Sequence, residues 1–153
     1  MIEKIIKYLI ENNITIATAE SCTGGLIGKT ITDFPGVSDI YGEGYITYSN
    51  EAKMKNLGVK KETLEAFGAV SKETAREMAE GARHRSGAKI AVSSTGIAGP
   101  GGGTPAKPVG LVYIACSTEN GCSVRELRLT GSRDSVRDKT VAEVFGLIAD
   151  SIK

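Results

Sequence analysis

Four side chains in this sequence could together carry out a hydrolytic reaction. Ser21 and Cys22 offer a hydroxyl and a thiol, followed at once by Thr23, Gly24 and Gly25. Lys53 offers an amine close in sequence to the phenol of Tyr48. Cleaving a carboxamide takes a nucleophile, a base, donors for the oxyanion and a proton for the departing ammonia. Ser21 suits the first role. Lys53 suits the second, if burial and neighbouring positive dipoles lower its pKa. Tyr48 can orient Lys53 or relay a proton, and backbone N–H groups around Thr23–Gly25 can receive the oxyanion. Cys22 is the rival nucleophile; it is the more reactive type, but a small buried residue at a turn is its commoner role.

The elements that must position these groups are readable in outline. Residues 14–19 form an apolar-polar run that reads as a buried strand, and Leu26, Ile27, Ile31 and Phe34 are spaced for the buried face of a helix. Ser21 thus falls where a strand becomes a helix, the place where backbone N–H groups lack intrahelical partners and the dipole is positive. Two adjacent glycines let a ligand approach the backbone. A plainer reading is a tight turn with Ser21 or Thr23 as helix N-cap. A phosphate loop is a near miss: Gly28-Lys29-Thr30 has its ending, but Thr23 stands where that pattern needs Gly. No later apolar strand ends in the Asp that would hold Mg²⁺.

Residues 40–48 read as a strand interrupted by glycines, and Ser49 or Asn50 caps a helix over 51–57 that stops at Gly58. Lys53 then lies near the start of that helix, against the dipole. Local conflicts of this kind mark functional sites; the plain alternative is an exposed lysine like Lys55, Lys60 and Lys61. Helices are also expected over 2–11, over 60–67, and from the Ser71 cap to Gly87 with Ala75, Met78, Ala79 and Ala82 on one face. His84, between Arg83 and Arg85, reads as part of a solvated cationic helix end. A strand over 89–95 leads into residues 96–108, where five glycines and three prolines exclude regular structure. A loop this long is usually functional or disordered, and here it leaves the carboxyl end of a strand, where open α/β sheets bind ligands. Residues 109–116 and 122–129 flank Glu119-Asn120-Gly121 as an antiparallel hairpin. Ser132 caps the last helix, on which Arg133 and Arg137 share one face and suit an anionic ligand, unless Asp134 and Asp138 neutralise them.

The chain has 153 residues and 41% hydrophobic residues, enough for a single α/β domain over 1–153. A formal net charge of +1 favours neither a nucleic-acid nor a membrane partner. No apolar run approaches the ~20 residues of a membrane span, and the amino-terminal residues do not read as a signal peptide. Three cysteines without CxxC spacing suit a reducing cytoplasm and argue against a zinc site. The single histidine leaves little for a His-based triad or a multi-His metal centre. A small-molecule partner is expected, with no metal and no cofactor.

Five stretches in this order carry a resemblance: Ala19–Gly25, Gly44–Lys53, Thr95–Gly102, Lys107–Gly110 and Gly131–Arg137. Together the chain resembles the C-terminal domain of the CinA proteins, which also exists alone as the nicotinamide-nucleotide amidase PncC. The resemblance implies a three-layer α/β/α sandwich with a mixed, mostly parallel sheet that includes the antiparallel hairpin. It implies hydrolysis of nicotinamide mononucleotide to nicotinate mononucleotide and ammonia in pyridine-nucleotide recycling, with Ser21, Tyr48 and Lys53 as the catalytic residues. Ligand contacts are expected at Glu20, Thr23, Gly24, Gly25, Thr95, Gly96, Gly99, Gly101, Gly102, Arg133 and Arg137. A homo-oligomer, a dimer, is also expected. A non-catalytic nucleotide-binding module of the same fold is the alternative. Simple binding has no need of Ser21, Tyr48 and Lys53 together.

Overall fold

The computed structural model describes residues 1–152. Its elements in order are α1 (Ile2–Glu11), β1 (Ile16–Glu20), α2 (Leu26–Thr32), a 3-10 turn (Val37–Asp39), β2 (Gly44–Ile46), α3 (Asn50–Leu57), α4 (Lys61–Phe67), α5 (Lys72–Ser86), β3 (Ile90–Gly96), β4 (Leu111–Thr118), β5 (Gly121–Arg128) and α6 (Arg133–Ser151). The sheet order is β2-β1-β3-β4-β5. β1 pairs in parallel with β2 and β3, while β4 runs against both β3 and β5. Four of the five strands therefore point the same way, with β4 alone reversed by the hairpin.

Three layers follow from strand alternation. Ile16, Ile90, Val92, Val112, Ile114 and Leu127 turn to one face and bury against α1, α2 and α6. Ala17, Ala19, Ala91 and Ala115 turn to the other, against α3, α4 and α5. The small residues on this second face let α5 lie close to the sheet. Gly81 extends the close packing to α3, since a Cβ there would stand 1.9 Å from the Leu57 carbonyl oxygen. Ser49, Ser71 and Ser132 cap α3, α5 and α6, each accepting a backbone N–H from the first turn. Such caps contribute roughly 1 kcal/mol each.

Two local expectations change. The strand expected over 40–48 shrinks to Gly44–Ile46, because Tyr41 fills the space beside the strand: its hydroxyl bonds Thr18 Oγ1 at 2.7 Å and lies where side chains at Gly28 and Gly44 would go. The hairpin turns on Glu119-Asn120, with Gly121 at positive φ opening β5 and pairing with Thr118.

This topology has a switch point, the kind of place where open α/β sheets leave a crevice. From β1 the chain leaves through α2, on one face, to reach β2; from β2 it returns through α3, α4 and α5, on the other face, to reach β3. The connections diverge at the carboxyl end of β1, which is where ligands bind in open α/β sheets.

Candidate active site

Ser21 is the first residue past β1, and its N–H bonds the Ser94 carbonyl at 3.0 Å, continuing the ladder with β3. By alternation it shares a face with Ala17 and Ala19, the face that α3 covers. From α3, Lys53 brings its amine to 3.0 Å from Ser21 Oγ and donates to the Thr47 carbonyl at 2.8 Å. Lys53 is 1% exposed and Ser21 9%. Among the described residues no carboxylate forms an ion pair with this amine, and burial lowers its pKa below that of an ordinary lysine. A buried amine whose charged form is disfavoured, in hydrogen-bond contact with a serine hydroxyl, has the arrangement of a base beside a nucleophile.

Cys22 is buried, and desolvation pushes its thiol up to about 11. Only the thiolate is a good nucleophile, so the environment favours Ser21 over Cys22.

The turn after Ser21 is rigid, and Glu20 is the reason. Its carboxylate accepts from Thr23 Oγ1 at 2.6 Å and from the backbone N–H groups of Gly25, Ile27 and Gly28 at 3.2, 2.8 and 2.9 Å. Glu20 is thus the anion at the start of α2, supplied by the chain itself. This corrects its expected contact with a ligand: the side chain is buried and directed into its own helix. Thr23 changes in the same way, because its hydroxyl is held between Glu20 and Ser94 Oγ at 2.7 Å. The backbone donors expected at this turn are partly taken. Gly24 N–H bonds the Ser21 carbonyl and Gly25 N–H bonds Glu20, so among the described residues the N–H groups of Cys22 and Thr23 are left to receive one. Gly24 and Gly25 remain necessary for the turn, at φ +58° and +111°.

Tyr48 does not orient Lys53 in this structure. Its hydroxyl bonds Arg133 at 3.1 Å rather than Lys53, and the side chain is 62% exposed. The Thr47 carbonyl does the orienting of Lys53 that the sequence reading gave to Tyr48. Arg133 also donates to the Gly99 carbonyl at 2.7 Å, and Arg137 donates to the Thr23 carbonyl at 3.0 Å. The two arginines on one face of α6 therefore fasten the two glycine loops, one each. Arg137 keeps a buried Nε without a hydrogen-bond partner.

The second glycine loop runs from Ile97 to Gly110, with a cis bond at Gly99–Pro100. Two expected ligand contacts at the end of β3, just before this loop, serve packing. Thr95 Oγ1 donates to the Ala69 carbonyl at 2.8 Å, and a Cβ on Gly96 would stand 2.6 Å from a Val112 methyl. Gly101 is open, and Gly102 adopts φ +89°. Lys107 ties the far end of the loop to the Phe67 carbonyl. Among the described residues no cluster of three or more metal-ligating side chains occurs, and no helix is long and apolar enough to cross a membrane.

Sequence reasoning missed Thr47, which is fully buried beside Lys53. Its only signal was its place at the carboxyl end of β2.

Comparisons with known proteins agree with this architecture. A relative in Acetivibrio thermocellus that carries the name competence-damage inducible protein is 59% identical over 93% of this chain and 34% of its own length. One in Clostridium acetobutylicum with the same name is 54% identical over 94% of this chain and 35% of its own. The chain thus spans about a third of the length of these curated relatives. The crystal structure of a competence/damage inducible protein, CihA, from Agrobacterium tumefaciens superposes with TM-score 0.96 at 44% identity, covering 99% of this chain and 93% of that one. A CinA superfamily protein from Escherichia coli gives 0.93 at 31% identity, covering 99% and 91%. The model of the CinA C-terminal domain matches residues 1–152, and the chain belongs to that family.

Proposed function

We propose that this domain is a serine amidohydrolase acting on the carboxamide of nicotinamide mononucleotide, releasing ammonia and nicotinate mononucleotide. The observation that carries the reading is the contact of the buried Lys53 amine with Ser21 Oγ at 3.0 Å. The choice of substrate rests on the family resemblance. Ser21 Oγ bonds to the carboxamide carbon as its proton passes to Lys53 Nζ, and the carbonyl electron pair moves onto oxygen, facing the N–H groups of Cys22 and Thr23. Collapse of this intermediate breaks the C–N bond, and Lys53 returns the proton to the departing ammonia. Water then adds to the ester with Lys53 again as base, and Ser21 leaves with the proton. In this reading Arg133 and Arg137, on one face of α6, meet the phosphate. Tyr48, bonded to Arg133, stands with them.

The test is direct. Purified protein is incubated with the mononucleotide, and ammonia and nicotinate mononucleotide are measured. Stoichiometric release by wild type, lost in Ser21→Ala, is the expected result. Tight binding of the mononucleotide without release would favour the nucleotide-binding alternative.

A further inference from the structure

Lys53 cannot act as a base without passing through its charged form. To act as a base the amine must be uncharged, with two N–H bonds and a lone pair. Two donors are in use, one to the Thr47 carbonyl and one to Ser21 Oγ, so the lone pair meets the serine proton only after the Ser21 contact reverses. Once Lys53 takes the serine proton it becomes an ammonium with three donors, at a position 1% exposed. The Thr47 carbonyl and the serine oxygen satisfy two of them. The third needs an acceptor that water cannot readily supply, and a buried charge without partners is costly.

Thr47 holds such an acceptor. Its Oγ1 is buried and has no hydrogen-bond partner among the described residues, although Thr47 itself is 0% exposed. Buried hydroxyls are nearly always paired. The placement is also specific. Thr47 N–H bonds the Glu20 carbonyl, extending the β2 ladder by one residue, and alternation puts its side chain on the same face as Tyr45, which packs among α3 residues. That is the face from which Lys53 enters.

We infer that Thr47 is a positioning residue with two acceptors, its carbonyl aiming the Lys53 amine at Ser21 and its hydroxyl receiving the third N–H of the ammonium as the proton transfers. An interaction made only after proton transfer lowers the barrier rather than tightening ground-state binding. The inference rests on the Ser21–Lys53 mechanism but not on the identity of the substrate.

Other groups near Lys53 do not supply the acceptor. The Cys22 thiol lies near the amine, and burial disfavours its charged form, pushing its pKa up to about 11. The Glu20 carboxylate is taken up by α2. Arg137 is on the Thr23 carbonyl and Arg133 on Gly99 and Tyr48. The buried face of α5 offers Thr74, whose hydroxyl donates to the Gly68 carbonyl at 2.7 Å, and the apolar Ala75, Met78, Ala79 and Ala82.

The test measures the rate at which a fluorophosphonate labels Ser21 across pH, by mass spectrometry, in wild type, Thr47→Val, Thr47→Ala and Thr47→Ser. Every variant keeps the carbonyl. Losing the hydroxyl should slow labelling by ~10- to 100-fold, the worth of a hydrogen bond to a charged group. It should also move the acid limb to lower pH by about one unit, because the charged form of Lys53 loses a partner. Thr47→Ser should return both to within a few-fold of wild type. Thr47→Ala carries the test if Thr47→Val does not fold. An unmoved acid limb in the hydroxyl-free variants, or a Thr47→Ser that behaves like them, overturns the inference. A wild type that labels at Ser21 but releases no ammonia from the mononucleotide sinks the substrate assignment alone. A wild type whose Ser21 never labels sinks both.

Discussion

The floor of the crevice and its rim are held by different kinds of bond. On the floor, Lys53 and Ser21 are buried and touch the groups on which they would act. On the rim, Tyr48 and Arg133 are exposed, and Arg133 spends its donors on a phenol and a carbonyl. Exposed polar contacts are worth little because water competes for each partner. A ligand anion can therefore take the rim's donors at small cost, whereas any exchange on the floor must first desolvate an amine. The chemistry is preorganised, and recognition is completed by the ligand.

The hardest test of that contrast is the nucleophile. Ser21→Ala should lower kcat by ~10⁴ or more with KM nearly unchanged, as for loss of the nucleophile in a comparable hydrolase. Cys22→Ala should stay within a few-fold of wild type. The reverse pattern would move the nucleophile to Cys22. Arg133→Ala comes next: KM for the mononucleotide should rise by ~10- to 100-fold, the loss of a charge-assisted contact. KM for the phosphate-free nucleoside should change far less, and equal changes would remove Arg133 from phosphate recognition. Tyr48→Phe should cost less than ~10-fold in kcat, the scale of one exposed hydrogen bond. A drop near that of Ser21→Ala would place Tyr48 on the floor and break the contrast.

Much of this was legible in the sequence. The strand-to-helix turn at Ser21, the caps at Ser71 and Ser132, and the two glycine loops follow from local residue types, and local rules governed them. Lys53 was visible as a lysine set against a helix dipole, a conflict that burial against Ser21 explains. Glu20 was misread because a motif does not show which way a carboxylate turns; its four donors come from the turn and helix after it. The contact of Tyr48 with Arg133 was not legible, because the two lie 85 residues apart. β2 was drawn too long because the Tyr41 ring is a tertiary neighbour, invisible to periodicity.

Two stability measurements sharpen the same contrast. Glu20→Ala leaves buried donors unpaired and should lower stability by ~1–3 kcal/mol, read as a melting temperature several degrees lower. The smallest effect should come from Lys53→Met. Burial lowers the lysine pKa, so between its folded value and the ordinary 10.5 the unfolded chain holds a proton that the folded chain lacks. Wild-type stability should therefore rise with pH across that window, and the penalty is full below it. Lys53→Met should melt at or above the wild-type temperature at neutral pH, with the gap narrowing as pH climbs. A gap that widens instead would mean that Lys53 is held charged in the folded state.

The contact of Gly81 with Leu57 has a consequence for how such a domain tolerates change. Helix α3 carries Lys53, and its last residue sets the distance to α5. An alanine at position 81 would push the helices apart and carry the amine with α3, although position 81 itself makes no contact with the reacting groups. In a saturation screen scored on turnover, position 81 should rank among the catalytic positions. A library diversified only around the crevice would leave out the residue that limits how far α3 can be rebuilt.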